Sequence, residues 1–235
     1  KTPLPTDARV TLKLECLQVT GSFKARGAMN RFLAAPREAS ARGIVAASGG
    51  NHGLAVARTA HVAEIPATIF LPAGVSPAKV AKMKAWGARV EVVGAVFDEA
   101  NVAALHHAEK TGAVYFHPFA DPLVIAGQGT LGLEIAGEVP DADTVLVAIG
   151  GGGLIAGLAT ALRARKPGIR IIGIEPVGSP TLRASLDAGR VVTLPGITSK
   201  VATMSCRETD PDVYAMVRDR VDDVVLVTDE AMEEA

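Results

Sequence analysis

Thr144-Val-Leu-Val-Ala-Ile-Gly-Gly-Gly-Gly-Leu-Ile-Ala-Gly-Leu158 is the stretch on which the fold turns. Thr144–Ile149 reads as a buried strand, four glycines follow without a break, and Leu154, Ile155, Leu158 and Leu162 then recur on one face of a helix. Four glycines remove every side chain that would keep an anion from the backbone N–H groups at the helix start, where the macrodipole also favours negative charge. The spacing is neither the GxGxxG of a dinucleotide fold nor a GxxxxGK[ST] loop. A merely flexible turn is the other reading; the strand before the glycines and the amphipathic helix after them favour phosphate binding.

Outward from this unit the pattern repeats. Short β-branched or apolar runs stand at Ile44–Ala47, Ala67–Leu71, Arg89–Val93, Ala113–Phe116 and Arg170–Glu175, with further strands expected at Val10–Glu15, Val191–Leu194 and Asp223–Val227. Between them, Gly53–Val62, Ser76–Trp86, Val96–Thr111, Asp121–Glu138 and Leu154–Lys166 carry apolar residues at helical spacing. Ser76 and Asp121 are the expected N-caps before Pro77 and Pro122. Alternating strands and helices imply an α/β protein with a mostly parallel sheet. No Ser/Pro-rich linker divides the chain, so a second domain has to be inserted rather than appended.

The composition narrows the function. Lys and Arg number 24 against 25 Asp and Glu, which leaves no electrostatic footprint for nucleic acid or an anionic membrane. Aromatics are 4% of the 235 residues, and no apolar run reaches the length of a bilayer span. Cys16 and Cys206 show neither metal-ligand spacing nor a disulfide framework, which suits a reducing compartment, the cytoplasm. The chain opens on Lys1 without Met and stops at Glu233-Glu-Ala inside a helical pattern, and so reads as part of a longer protein.

Ligands in open α/β sheets bind beyond the carboxyl ends of strands, which directs attention to two further segments. In Leu17-Gln-Val-Thr-Gly-Ser-Phe-Lys-Ala-Arg-Gly-Ala28, Gly21 permits a sharp turn and Ser22 is placed to cap a helix starting at Phe23. Lys24 then sits at a helix N-terminus, where the dipole disfavours an ammonium and makes a neutral amine more available. Alone, such a residue is more often a solvated surface lysine. In Ala46-Ala-Ser-Gly-Gly-Asn-His-Gly53, the residues Ser48, Gly49, Gly50, Asn51 and His52 suit the α-carboxylate of an amino acid. An Asx-type turn at Asn51 with His52 packed in the core is an equal alternative.

Together, in this order, the three segments resemble the fold type II pyridoxal-phosphate (PLP) enzymes, the serine/threonine dehydratase and serine racemase group. The likeness runs from Thr2-Pro-Leu4 through Leu12-Lys-Leu-Glu15, Gly21–Ala28, Ser48–Gly53, Ile125-Ala-Gly-Gln-Gly129 and Gly150–Gly153 to Glu175-Pro176. It implies two open, mostly parallel, twisted sheets flanked by helices: a large PLP-binding domain of residues 1–45 plus 120–235, and an inserted small domain of residues 46–119. It also implies Lys24 as the lysine that holds PLP as a Schiff base, with Phe23 packed beside the cofactor and Asn51 on its ring oxygen. Gly150, Gly151, Gly152, Gly153 and Leu154 then bind the phosphate. Val191–Ser205, with Thr198 and Ser199, is expected to line the substrate side.

The departures from the family sharpen the activity. Gly49 stands where racemases of the group carry a hydroxyl opposite the lysine. Racemisation needs proton delivery from both faces, so a glycine there favours elimination by Lys24 alone. Around Glu175 the group's metal-binding pattern is broken by Ser179 and Thr181, and no metal is expected. The family's partner for the pyridine nitrogen lies on a later strand that the chain does not reach. The expected activity is conversion of L-threonine or L-serine to a 2-oxo acid and ammonia, by a cytoplasmic homodimer that acts on a small amino acid and binds no nucleic acid or membrane. Serine racemase and cysteine-synthase-like β-replacement are the rival enzymes, and a phosphate-ligand binding module is the rival outside catalysis.

Overall fold

The computed structural model describes residues 7–234; the Thr2–Leu4 part of the resemblance lies outside them. In chain order the elements are α1 (Lys24–Leu33), α2 (Arg37–Ala41), β1 (Ile44–Ala47), α3 (Asn51–Ala63), β2 (Ala67–Leu71), α4 (Pro77–Ala85), β3 (Arg89–Val92), α5 (Phe97–Thr111) and β4 (Val114–Tyr115). Then follow α6 (Pro122–Glu138), β5 (Thr144–Ala148), α7 (Gly153–Arg165), β6 (Arg170–Pro176), α8 (Thr181–Ala188), α9 (Pro211–Arg220), β7 (Asp223–Val227) and α10 (Asp229–Glu234). Asp121 caps α6 as expected, its Oδ1 accepting the N–H groups of Leu123 and Val124, whereas Ser76 makes no side-chain cap bond at α4.

The strands form two parallel sheets, ordered β3-β2-β1-β4 and β5-β6-β7. All four residues of β1 are buried because the strand is covered on both faces: Ile44 and Ala46 pack with Leu54, Ile69 and Met83, while Val45 and Ala47 pack with Phe70, Ala100 and Ala104. The first sheet draws on residues 44–115, and β1 spans the division expected at Ala46. The second core gathers Val147, Ile149, Ile155, Leu158, Leu162, Ile171, Val213, Val217 and Val224 around β6.

Two expected strands are absent. Residues 10–14 belong to no helix or strand, and Glu15–Leu17 is a 3-10 turn. The alternation that suggested a strand is used differently. Arg9, Lys13 and Glu15 pair with Asp141, with Glu134 and Glu138, and with Arg26, while Val10, Leu12 and Leu14 are left exposed. Val191–Leu194 is also irregular; Leu194 N–H donates to the Arg207 carbonyl at 2.8 Å, and the Leu194 carbonyl accepts from the Arg207 guanidinium at 3.4 Å.

Helix α6 is the spine between the two ends of the site. Its Gly127 lies against Gly27 of α1, and its Gly129 and Gly132 lie against the backbone of Gly157 and Leu158 in α7. At each contact a Cβ would meet backbone or a neighbouring side chain within about 3 Å, so the three helices pack with almost no side-chain layer between them.

Candidate active site

The turn before α1 has Gly21 in the left-handed region at φ 77°, and the buried Ser22 Oγ accepts the Lys24 N–H at 3.4 Å. Lys24 opens the helix one residue later than the sequence suggested. Its stem is partly accessible, but its Nζ is surrounded by protein and donates to the Pro118 carbonyl oxygen at 2.6 Å. The Phe23 ring lies 5.1 Å from the same nitrogen. Burial pulls the Lys24 pKa down to about 8, with Cys206 acting weakly the other way. The direction is the one expected from the helix start, with burial as its cause.

At the carboxyl end of β1, Ser48 Oγ accepts the Gly50 N–H at 3.2 Å, and Gly50 is the N-cap of α3. A Cβ on Gly53 would run into the Ser48 carbonyl, and one on Gly49 into the Val75 side chain, which would have to shift to admit it. Asn51 is half-buried and its amide makes no hydrogen bond among the described residues, which removes the Asx-turn alternative. His52 goes the other way. It is 2% exposed, its Nε2 bonds the Phe116 carbonyl at 2.9 Å, and burial takes its pKa down to about 3. The imidazole belongs to the core rather than the substrate side, and only the His52 backbone remains at the helix start.

The glycine loop follows β5 and Ile149. Gly152 adopts φ 91°, and a Cβ on Gly151 or Gly153 would collide with Phe119. Thr209 Oγ1 ties back the Gly151 carbonyl at 3.1 Å. From Gly150 to Leu154, no backbone N–H donates to a protein acceptor among the described residues. Unpaired N–H groups in succession at a helix start are the donor set an anion requires.

Sequence reasoning missed Phe116-His-Pro-Phe-Ala-Asp121, which lies between β4 and α6 and touches all three motifs. Phe116 bonds His52, Pro118 bonds Lys24, and Phe119 packs on the glycine loop. Its signal was its place at the carboxyl end of a strand. Cys206 and Glu175 were also passed over as working parts of this region. Glu175, 0% exposed, accepts the N–H groups of Leu182 and Arg183 at 2.8 and 2.9 Å, and burial pushes its pKa up to about 7. Ser179 and Thr181 donate to the Cys206 carbonyl. Ser199 donates to Asp229 at 2.8 Å and Thr198 N–H bonds Gly178, so both serve loop structure. Among the described residues there is no group of three or more His, Cys, Asp and Glu side chains arranged to hold a metal.

A poised amine, a free amide and a loop of free N–H groups fit an aldehyde that carries a ring oxygen and a phosphate. A family model described as "Pyridoxal-phosphate dependent enzyme" matches residues 2–235. The chain belongs to this family. Among pyridoxal-phosphate dependent enzymes it is 45% identical to an L-threonine ammonia-lyase of Geobacter sulfurreducens, over 94% of this chain and 55% of that protein. An L-threonine ammonia-lyase of Thermotoga maritima is 43% identical over 98% of this chain and 57% of its own length. Maize serine racemase superposes with a TM-score of 0.91 at 38% identity, covering 94% of this chain and 67% of that structure. The chain thus spans just over half the length of these two threonine ammonia-lyases. Pyridoxal phosphate is the cofactor of the family, and the α/β architecture with parallel sheets is the fold type II arrangement.

Proposed function

We propose that the protein is a lyase that removes the β-hydroxyl of L-threonine or L-serine, giving 2-oxobutanoate or pyruvate and ammonia. The observation that carries this reading is the pairing of the Lys24 amine, bonded to the Pro118 carbonyl, with a glycine at position 49 whose side-chain space is taken by Val75. Lys24 and Phe23 hold the cofactor's reactive end, Asn51 its ring oxygen, and the N–H groups of Gly150–Leu154 its phosphate. The substrate carboxylate lies at the start of α3, against Ser48, Gly49, Gly50, Asn51 and the backbone of His52.

When bound, pyridoxal phosphate supplies an electron sink that lets the α-carbon give up its proton. Lys24 Nζ takes that proton, and the Pro118 carbonyl accepts a hydrogen bond from the ammonium so formed. The Lys24 ammonium returns that proton to the β-hydroxyl, which leaves as water, and the released enamine is hydrolysed by a second water to the oxo acid and ammonia. At position 49 there is no group to return a proton from a second direction, because Val75 fills the space. The half of the molecule built on β1–β4 carries the carboxylate loop and closes toward the half carrying Lys24 and the glycine loop, excluding water.

Two unpaired cysteines fit a reducing cytoplasm, and a homodimer fits both the family habit and the exposed Leu12, Leu14 and Leu17. The test is product analysis with L-threonine and L-serine. Oxo acid and ammonia, lost in Lys24→Ala, are expected; D-serine as the main product overturns the lyase reading in favour of racemisation.

A further inference from the structure

The six residues from Phe116 to Asp121 link β4 to α6 and are pinned at both ends. His52 Nε2 bonds the Phe116 carbonyl, and Asp121 caps α6 while its other oxygen pairs with Arg31 Nε of α1 at 2.6 Å. Between the pins, Pro118 has no N–H, so its own amide contributes nothing to the turn. The two amides that follow are both captured by one side chain. His117 Nδ1 accepts the Phe119 N–H at 3.2 Å and the Ala120 N–H at 2.8 Å. The same ring stacks edge-on against Phe119 at 4.7 Å and Tyr115 at 6.2 Å.

We propose that His117 is a positioning residue for the base of the reaction: by folding the chain back onto its own Nδ1, it aims the Pro118 carbonyl at Lys24 Nζ and fixes where the free amine rests. The inference rests on reading Lys24 as the base. An ammonium that has just taken a proton needs an acceptor in a buried site, and the Pro118 oxygen at 2.6 Å is the acceptor this chain provides. Nδ1 accepts only while it is unprotonated, and burial keeps the His117 pKa below its ordinary value, with Lys24 lowering it and Asp210 and Asp121 raising it. His52, packed from α3, is neutral, and Cys206 raises the Lys24 pKa against the larger effect of burial. Two cations border the turn: Arg31, held by Asp121 and lying over the Phe116 ring, and Lys24, whose acceptor is the Pro118 carbonyl.

Two substitutions separate the acceptor from the ring. His117→Phe keeps the aromatic contacts and removes Nδ1; His117→Asn removes the ring and keeps a side-chain oxygen that bonds following N–H groups. The readout is the pH midpoint of Lys24 reductive methylation in the cofactor-free chain, quantified by mass spectrometry, together with the acidic limb of kcat at saturating substrate in the loaded enzyme. Loss of an acceptor for the charged form lowers the Lys24 pKa, so His117→Phe is expected to move both midpoints down by about one pH unit. His117→Asn is expected to keep them. His117→Ala serves as a second acceptor-free variant if the phenylalanine disturbs folding. Unmoved midpoints in the acceptor-free variants, or a shift in Asn but not in Phe, overturn the proposal. The methylation midpoint needs neither cofactor nor substrate, so it stays interpretable even if the wild type makes no oxo acid, a result that would sink the lyase reading alone.

Discussion

Gly27 of α1 and Gly127 of α6 meet backbone to backbone: a Cβ on Gly127 would stand 2.6 Å from the Gly27 Cα, and one on Gly27 would stand 2.7 Å from the Val124 carbonyl oxygen. A single methyl group on Gly127 therefore has to push the helix that begins with Lys24. Gly127→Ala gains up to about 1 kcal/mol of helix propensity and costs about 1–3 kcal/mol of overpacking, so a net loss of stability is expected. Urea denaturation checks it, and an unchanged or raised midpoint would mean that α1 and α6 separate freely.

Lys24 governs the pH dependence of turnover. In the substrate complex, where the amine is free of the cofactor, a pKa near 8 leaves it mostly protonated at pH 7 and mostly free at pH 9, so kcat at saturating substrate is expected to rise through about pH 8. Lys24→Ala is expected to lower the rate by at least about 10²–10⁴-fold and to abolish the visible absorption of lysine-bound cofactor. Titration of initial rates from pH 6 to pH 10 by oxo-acid release measures the first; a flat profile contradicts it.

Position 49 tests reaction choice. Gly49→Ser drives its Cβ into Val75 and is expected to cost about 1–3 kcal/mol of stability by overpacking. Val75→Ala removes the obstructing methyl groups, so the double variant should recover much of the melting temperature and, with a hydroxyl now in place, form D-serine from L-serine. Chiral chromatography reads the product. A single variant that melts like the wild type would show that the Val75 contact yields without cost.

Glu175 titrates in the opposite sense to an ordinary surface carboxylate. Its folded pKa, about 7, lies above the ordinary value of 4.5, so between those values the folded state binds more protons and stability falls as pH rises. The carboxyl thus stays mostly neutral up to about pH 7 even though two N–H groups face it. Glu175→Gln removes this titration. The drop in melting temperature from pH 5 to pH 8 should be smaller in the variant than in the wild type; equal drops would place the carboxylate in contact with water.

Local patterning carried most of the fold. The strands at Ile44, Ala67, Thr144 and Arg170 stand where apolar runs placed them; those at Ile44, Ala67 and Arg170 are largely buried, as the runs imply, whereas in the Thr144 strand only Val147 is buried. The trace at Val10–Glu15 misled because alternation has two causes: there it alternates between ion pairs to α1, α6 and Asp141 and exposed apolar side chains, with no sheet involved. The three motifs at Lys24, Ser48–Gly53 and Gly150–Gly153 were legible from composition and position. What joins them was not. Whether His52 faced ligand or core depended on the Phe116 carbonyl 64 residues away, and the resting partner of Lys24 is a backbone oxygen 94 residues away, which no side-chain pattern announces.

Because α6 touches α1 and α7 through glycines, the distance between the amine and the anion cradle is written in main-chain atoms, which mutation does not alter. Sequence divergence is left to the outer side of the helix, where Glu134 and Glu138 meet Arg26 and Lys13. On the inner side even the smallest substitution adds an atom where none fits. The gauge of the site is thus protected by the poverty of its residues, and descendants of this chain are free to vary what they bind while inheriting how far apart they hold it.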